Sequence, residues 1–200
     1  MMNVDSTPRI VILAGPNGAG KTTSAKKLLQ GVMGIDEFVN ADVIAQGLSG
    51  FSPERVALTA GSIMLQRIQE LASAGRSFAF ETTLASRTFA PWLRECKHAG
   101  YRIDLVFLWL SSTDVAVERV AERVSRGGHD IPEETIRRRY QRGLSNFFSL
   151  YQPLADSWQM FDNGRQALRL VAFGGTDRPT KIKVRQTWSQ VLKVAGIEER

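Results

Sequence analysis

A short segment near the start of the chain constrains its fold more than any other feature. Residues 15–22 have the sequence GPNGAGKT, which fits the spacing G-x-x-x-x-G-K-[ST]. An apolar run from Arg9 to Ala14 precedes it, and a helix-like segment from Lys21 to Val32 follows it. The glycines allow a tight turn in which successive N–H groups point inward and bind an anion at the helix start. The segment therefore predicts a buried strand, a phosphate-binding loop and a helix, rather than an accidental glycine-rich turn.

This loop predicts that the chain binds a nucleotide, with ATP and Mg²⁺ as its cofactors. We expect the cofactor contacts to come from consecutive residues, namely Gly15, Pro16, Asn17, Gly18, Ala19, Gly20, Lys21, Thr22 and Thr23. The Lys21 ammonium should reach the β- and γ-phosphates, and the Thr22 hydroxyl should be a ligand of Mg²⁺. The chain contains neither the guanine-recognition sequence N-K-x-D of GTPases nor the sequence LSGGQ of transporter ATPases.

Strand-like and helix-like segments alternate through the rest of the chain. Besides the first strand, strands are predicted at 37–40, 77–80, 102–110, 158–162 and 168–173. Helices are predicted at 53–71 with Ser52 as the cap, at 89–99, from Ser112 or Thr113 to Arg126, at 132–150 and at 184–195. This alternation is typical of an α/β fold with a parallel sheet. We expect the three-layer sandwich of P-loop NTPases, formed by one domain over residues 1–200 with a helical lid at about 118–142.

The composition is that of an ordinary globular protein and excludes several other classes. Hydrophobic residues make up 43% and charged residues 23% of the 200 residues, which excludes a disordered or collagen-like protein. Cys96 is the sole cysteine in the sequence, so we interpret it as a small buried residue and expect no internal disulfide. The polar residues 1–7 do not fit a signal peptide, and no apolar run is long enough to span a bilayer. We therefore expect a cytoplasmic protein without a membrane partner.

Two carboxylates follow predicted strands, at the edge where ligands of parallel sheets bind. Asp42 follows the second strand and Glu81 follows the third. Either carboxylate could accept the proton of an acceptor hydroxyl or hold Mg²⁺ through water. Structural alternatives stay open, because Asp42 could be the N-cap of the next helix and Glu81 a surface residue or a cap. Thr82 and Thr83 could bind an acceptor substrate or form the turn between strand and helix.

Arginines are concentrated in two of the predicted helices. Seven arginines lie between residues 119 and 142, against five acidic residues between 118 and 142. In the first helix, Arg119, Arg123 and Arg126 share one face. In the second helix, Arg138, Arg139 and Arg142 lie on the side opposite the apolar stripe. Guanidinium groups suit bidentate contacts with phosphate, and the glycines at 127–128 would allow such a lid to close. The alternative is a solvated face whose arginines pair with nearby glutamates, and His129 is interpreted as structural.

Taken in order along the chain, these segments resemble the zeta toxin family of phosphate-loop kinases, in particular its short chromosomal members. The resemblance rests on GPNGAGKT at 15–22, NAD at 40–42, FETT at 80–83, RGGHDIP at 126–132 and RRRY at 137–140. It implies an ATP-dependent kinase, in a family whose best-known substrate is UDP-N-acetylglucosamine, phosphorylated on the 3′-hydroxyl of the sugar.

The resemblance also implies roles for individual residues. Asp42 would be the general base, Thr22 the metal ligand, and Glu81 part of the acceptor site. The residues expected in catalysis are Asp42, Lys21, Arg126, Arg138 and Arg139, with the arginines as lid residues that contact phosphate. The residues that we expect to bind substrate, from their position and this resemblance, are Asp42, Glu81, Thr82, Thr83 and Arg123. An antitoxin protein is a further candidate partner.

Our main hypothesis is therefore a kinase that transfers the γ-phosphoryl group of ATP to a hydroxyl of a small acceptor, with a UDP-sugar as the leading candidate. The strand at 102–110 ends without an acidic residue, so no hydrolase-type Walker B carboxylate is evident there. Two alternatives stay open: a kinase acting on nucleic-acid ends or on another small molecule, and an ATP-binding partner module without kinase activity. The formal charge of +6 fits any acidic partner, but its concentration in the lid favours ATP and a phosphorylated small molecule over nucleic acid.

Overall fold

The described part of the chain forms one sheet with helices on both faces. The computed structural model describes residues 7–128, 130–164 and 167–198. Its strands are β1 (Arg9–Ala14), β2 (Phe38–Val39), β3 (Phe78–Thr82), β4 (Arg102–Trp109), β5 (Ser157–Asp162), β6 (Arg169–Gly175) and β7 (Arg178–Ile182). Its helices are α1 (Lys21–Ala25, continued by a π-helical segment, Lys26–Met33), α2 (Ala41–Leu48), α3 (Ala57–Ser73), α4 (Phe89–His98), α5 (Thr113–Ser125), α6 (Glu133–Asn146, continued by a π-helical segment, Phe147–Tyr151) and α7 (Arg185–Ala195).

The strands lie in the order β2-β3-β1-β4-β5-β6-β7. Neighbouring strands from β2 to β5 are parallel, whereas β6 and β7 pair antiparallel at one edge. Parallel strands need a crossover connection, while antiparallel strands can be joined by a short turn. The predicted α/β fold is confirmed as a mostly parallel sheet, and its antiparallel edge is a departure from the expected all-parallel arrangement.

Apolar side chains of the strands alternate between two cores, one on each face of the sheet. In β1, Ile10 and Ile12 belong to one core, while Val11 and Leu13 belong to the other. Helices α3, α4 and α7 cover the first core, α1 and α5 cover the second, and α6 contributes to both. Because both faces are covered, the central strands consist of continuous apolar runs, as expected for buried parallel strands. The result is the expected three-layer sandwich.

Several local predictions differ from the structure. Strand β3 extends through Glu81 and Thr82, two residues beyond the predicted end at Phe80, because the backbone ladder with β1 continues past the apolar run. Ser52 precedes a 3₁₀ turn, Pro53–Val56, but its side chain makes no capping hydrogen bond. Strand β7 was not predicted, because all of its residues are exposed and it lies at the sheet edge.

Cys96 is buried in α4, as interpreted from the sequence. Burial raises the pKa of its thiol to about 11, so the thiol is protonated at neutral pH. In residues 7–128, 130–164 and 167–198, no helix combines the length and the hydrophobicity that crossing a bilayer requires.

A buried carboxylate lies at the end of the sheet opposite the phosphate loop. Asp104 is 2% exposed and accepts hydrogen bonds from Ser157 Oγ at 2.6 Å, Arg9 Nε at 2.9 Å and Arg102 Nε at 3.1 Å. Burial raises the pKa of this carboxyl, but the hydrogen bonds from Ser157 and Arg9, with the charges of both arginines, outweigh burial and lower it. The ionised form is therefore the one that the fold stabilises.

Replacing Asp104 by asparagine should lower the free energy of unfolding by about 2 kcal/mol at pH 7, the scale of hydrogen bonds to a charged group. The pKa of Asp104 is lower in the folded than in the unfolded protein. The stability that Asp104 contributes is therefore fully present above the ordinary aspartate pKa of about 3.9, and it is lost as the pH falls through the lower pKa of the folded state. Urea unfolding at pH 7 and pH 3 measures both effects, with the exposed Asp177→Asn as control. An equal loss at both pH values would contradict this account.

Candidate active site

The loop between β1 and α1 has a backbone that its glycines make possible. Gly15, Gly18 and Gly20 have φ values of 143°, 77° and 75°, which side-chain-bearing residues rarely adopt. A Cβ on Gly15 would lie 2.3 Å from the carbonyl oxygen of Leu108, so β4 also requires glycine there. The N–H of Ala19 donates to the carbonyl of Pro16 at 3.2 Å and closes the turn. The GPNGAGKT segment thus forms a strand–loop–helix unit at the predicted position.

The Lys21 side chain is folded back over this loop. It is buried, and its Nζ donates to the carbonyl oxygen of Pro16 at 3.0 Å and lies 3.6 Å from Glu81 Oε1. Burial lowers the pKa of the ammonium, while the charges of Glu81 and Asp42 oppose the shift. A desolvated cation between two carboxylates is well placed to exchange these contacts for phosphate oxygens.

Glu81 lies at the centre of a polar cluster at the carboxyl edge of the sheet. Its Oε2 accepts hydrogen bonds from Thr22 Oγ1 and from Asn40 Nδ2, both at 2.8 Å. The open alternatives for Glu81, a surface residue or a cap, do not fit a half-buried carboxylate that accepts two side-chain hydrogen bonds. Because β3 lies next to β1 in the sheet, this carboxylate faces the loop hydroxyl that the sequence assigns to the metal.

Asp42 lies in the first turn of α2 and is not its N-cap. Asn40 is the cap residue, and its Oδ1 accepts from the N–H groups of Asp42 at 2.7 Å and Val43 at 3.3 Å. The Asp42 carboxylate is therefore not used in helix capping. It lines the cleft together with Lys21 and Glu81.

Two cavities meet at these carboxylates. A cavity of about 400 Å³ lies over the loop, where Gly18, Gly20, Thr22 and Thr23 line it. A cavity of about 290 Å³ lies beside it and extends to Phe89 and Arg139. Both cavities are lined by Asn17, Lys21, Asp42 and Glu81. Their combined size is in the range of small-molecule sites, so one ligand on the loop and a second beside it can share these side chains.

Thr82 is the last residue of β3 and Thr83 begins the turn that follows, and both line the smaller cavity. Their Oγ1 atoms accept from the N–H groups of Leu84 at 3.1 Å and Ala85 at 3.4 Å. Leu84 has a positive φ of 56°, a strained conformation for leucine, and its carbonyl accepts from the buried Asn146 at 2.7 Å. The alternative of a structural turn is therefore correct for these hydroxyls, and substrate contacts by them stay a prediction.

The arginines of α5 and α6 divide between the cleft and the surface. Arg119 and Arg123 line the cavity over the loop, and α5 packs so closely that a Cβ on Gly18 would lie 3.0 Å from Arg119 Cβ. Arg139 is half-buried in the smaller cavity, where burial lowers its pKa against the opposing charge of Asp42. Three guanidinium groups thus line the space around the two carboxylates.

The structure does not bring Arg126 and Arg138 to this cleft. Arg126 is 76% exposed at its side chain and pairs with Glu122 at 2.6 Å, one helical turn away. Arg138 is exposed, and its guanidinium lies 3.8 Å from Glu134. Arg126 and Arg138 therefore lie on a solvated face, the alternative to a phosphate-binding lid, and acidic residues one turn away on the same helix pair with them. His129 lies outside the described residues.

Two asparagines and one arginine that were not among the predicted site residues also belong to the site. Asn40 links Glu81 with the start of α2, and the NAD segment at 40–42 is its only sequence signal. Asn163 Nδ2 donates to the carbonyl of Ala19 at 2.8 Å, from 144 residues away, and no sequence pattern indicates it. Arg119 was grouped with the lid arginines from its helical spacing, and it lines the cavity over the loop.

Solved structures share this architecture at low sequence identity. The AvrRxo1-ORF1:-ORF2 complex determined with ATP matches with a TM-score of 0.74 at 17% identity, over 92% of this chain and 63% of that one. A chain of the PezAT chromosomal toxin–antitoxin system of Streptococcus pneumoniae matches with a TM-score of 0.65 at 14% identity, over 97% of this chain and 80% of that one. The chain thus spans less than two thirds of the AvrRxo1 chain. At these identities the likeness establishes the fold alone, a P-loop NTPase fold.

The sequence comparisons each cover about two thirds of the chain. An uncharacterized protein of Haemophilus influenzae is 24% identical over 132 residues, which is 66% of this chain and 92% of that protein. The model of the AAA_33 family, described as an AAA domain, matches residues 10–145, which include the loop, both carboxylates and the arginines of α5 and α6. The chain therefore belongs to the AAA_33 family of AAA domains.

Proposed function

We propose that this protein is a kinase that transfers the γ-phosphoryl group of ATP to a hydroxyl of a small acceptor. The observation that carries this proposal is the position of Asp42 and Glu81 on the wall shared by the cavity over the loop and the smaller cavity beside it. A hydrolase or a switch needs a nucleotide and a water molecule, whereas this second space has room for a larger acceptor.

The residues of the loop fit ATP and Mg²⁺. The positive φ values of Gly15, Gly18 and Gly20 are those of a phosphate-binding loop ahead of a helix. Asn17 Oδ1 is buried without a hydrogen-bond partner among the described residues and lines both cavities, so a hydroxyl donor of a ligand would complete it. Lys21 would bind the phosphates, and Thr22 would bind Mg²⁺, with Glu81 as a partner through water. When bound, Mg²⁺ would neutralise charge on the phosphates.

In this proposal Asp42 is the general base. Its carboxylate would accept the proton of the acceptor hydroxyl as that oxygen attacks the γ-phosphorus, so that the O–P bond to the acceptor forms while the bond to the β-phosphate oxygen breaks. Lys21, Arg119 and Arg123 would stabilise the charge on the transferred group, since fixed cations act strongly in a partly desolvated cleft. Their positions around Asp42 support a mechanism of positioning and electrostatics.

A UDP-sugar such as UDP-N-acetylglucosamine is our candidate acceptor, by the resemblance to the zeta toxin family. The smaller cavity offers the Arg139 guanidinium for an anionic group, the Phe89 ring for an apolar surface, and Ser86 beside them. AvrRxo1-ORF1 is named in a complex with ORF2 and PezAT as a toxin–antitoxin system, so an antitoxin protein is the candidate macromolecular partner. Cytoplasmic location is part of the same proposal.

The proposal is tested by incubating the purified protein with γ-labelled ATP and Mg²⁺ and a panel of UDP-sugars, nucleosides, small hydroxy acids and oligonucleotides. We expect label on a hydroxyl of one small anionic acceptor, identified by mass spectrometry. Label on oligonucleotide ends, with a rate that falls steeply as salt is added, would favour the nucleic-acid alternative. Nucleotide binding with no labelled product from any acceptor would contradict kinase activity.

Replacing Arg139 by glutamine should lower kcat/KM for the acceptor by about 10- to 100-fold, the effect of losing a charged hydrogen bond of about 1.5–3 kcal/mol. The reason is that Arg139 lines the smaller cavity, beside Asp42. Steady-state kinetics with the acceptor identified above measures the effect. The matched control is Arg138→Gln, which removes the neighbouring, exposed guanidinium and should change kcat/KM less than 2-fold. Equal losses in both variants would contradict a specific role for Arg139.

A further inference from the structure

Asn40 connects three segments of the candidate site with one side chain. It is 5% exposed and lies between the end of β2 and the start of α2. Its Oδ1 accepts from two N–H groups of the first turn of α2, and its Nδ2 donates to Glu81 Oε2 at 2.8 Å and lies 3.4 Å from Thr22 Oγ1. Because backbone N–H groups can only donate, the amide orientation is fixed by this network.

We infer that Asn40 is a positioning residue for the kinase chemistry, in addition to being a helix cap. Through Nδ2 it holds the Glu81 carboxylate on the Thr22 hydroxyl, and through Oδ1 it fixes the turn of α2 that carries Asp42. This inference rests on the proposed function, since the phosphate loop, the general base and the carboxylate on Thr22 are the groups that it aligns.

The contact with Glu81 also limits how closely that carboxylate can approach Lys21. Glu81 Oε1 lies 3.6 Å from Lys21 Nζ, which is longer than the 2.7–2.9 Å of a close charged hydrogen bond. Since Oε2 is held by Asn40 and Thr22, the carboxylate is restrained from closing on the ammonium. Without the amide donor, Glu81 can rotate toward Lys21 and compete with the nucleotide for its charge.

A helix cap requires only the acceptor half of the Asn40 amide. Ser112 shows this on α5, where its hydroxyl accepts from the N–H of Val115 at 3.2 Å. Serine is an N-cap about as good as asparagine and threonine is slightly weaker, but neither carries an amide donor that could reach Glu81. Asn40→Ser and Asn40→Thr therefore retain the cap and remove the contact with Glu81, which separates the two roles.

The kinetic test is a double-mutant cycle between Asn40→Ser and Glu81→Met, because methionine has a similar length but lacks the carboxylate that the amide contacts, whereas glutamine would keep an oxygen acceptor. We expect Asn40→Ser to lower kcat about 10-fold or more with a melting temperature within about 4 °C of the wild type, the scale of one altered cap. We expect the double variant to be no more than about 2-fold slower than Glu81→Met, because both changes break one contact. Wild-type kcat in Asn40→Ser, or losses that multiply in the double variant, would overturn the inference. Asn40→Thr repeats the test if Asn40→Ser does not fold.

A second measurement does not depend on kinase activity. In a ¹⁵N-labelled sample, the side-chain amide signals of Asn40 are assigned by their loss in Asn40→Ser and then observed in Glu81→Met. We expect them to shift in Glu81→Met and to stay in place in the exposed control Glu70→Met. Unchanged signals in Glu81→Met would overturn the inference even if the protein is a kinase. Shifted signals in a protein that phosphorylates no acceptor would support the contact and refute the proposed function instead.

Discussion

Asp42→Asn should lower phosphoryl transfer by about 10²-fold or more, the range expected for loss of a general base. Asparagine has nearly the same shape as aspartate but accepts no proton at neutral pH. Because Asn40, not Asp42, caps α2, the substitution leaves the helix start intact, and the melting temperature and ATP affinity should change little. Single-turnover kinetics with labelled ATP and the identified acceptor separate the chemical step from product release.

Asp36→Asn is the matched control for this experiment. Asp36 is an exposed carboxylate on the preceding loop and lies outside both cavities, so its replacement removes the same charge without touching the cleft. We expect wild-type rates in that variant. A wild-type rate in Asp42→Asn would remove Asp42 from the role of base and direct attention to Glu81, the second carboxylate on the shared wall.

The parts of the fold that could be predicted are those in which neighbouring residues determine the structure. The strand, loop and helix around Gly15–Thr22 follow from apolar residues, glycines and a helical segment in direct succession. Strand β7 could not be predicted, because its exposed residues show no alternation and its position depends on pairing with β6. The end of β3 was missed for a related reason: Glu81 and Thr82 are polar, and backbone pairing with β1 keeps them in the strand.

The candidate site shows the same division between local and long-range information. The spacing of the loop indicates Lys21 and Thr22, but it does not distinguish Arg138 from Arg139, which are adjacent in the sequence. Which of the two arginines lines the cleft depends on the packing of α6 on the β3–α4 turn, where a Cβ on Gly143 would lie 2.2 Å from the carbonyl oxygen of Thr83. Glycine at this position lets the helix approach closely, and the approach turns Arg139 into the cleft and leaves Arg138 exposed.

Lys21→Met should weaken ATP binding about 10- to 100-fold and lower turnover about 10²- to 10³-fold, because it removes the cation that the loop directs at the phosphates. Methionine retains most of the buried apolar stem, so the protein should fold. The wild-type ammonium is buried against Glu81 and Pro16, and its loss affects the ligand-free protein less than the complex. Isothermal titration with ATP and Mg²⁺, together with the kinase assay, measures both quantities.

The position of the charge, rather than its presence on α1, is what this variant tests. Lys27→Met removes an exposed ammonium from the same helix. Because salt screens exposed charges, this variant should change ATP affinity less than 2-fold. If both variants lose affinity equally, ATP is held by the general basic character of the chain, whose formal charge is +6, and not by the loop. A loss confined to Lys21→Met places the nucleotide on the loop, because only a desolvated cation within reach of the phosphates can produce an effect of that size.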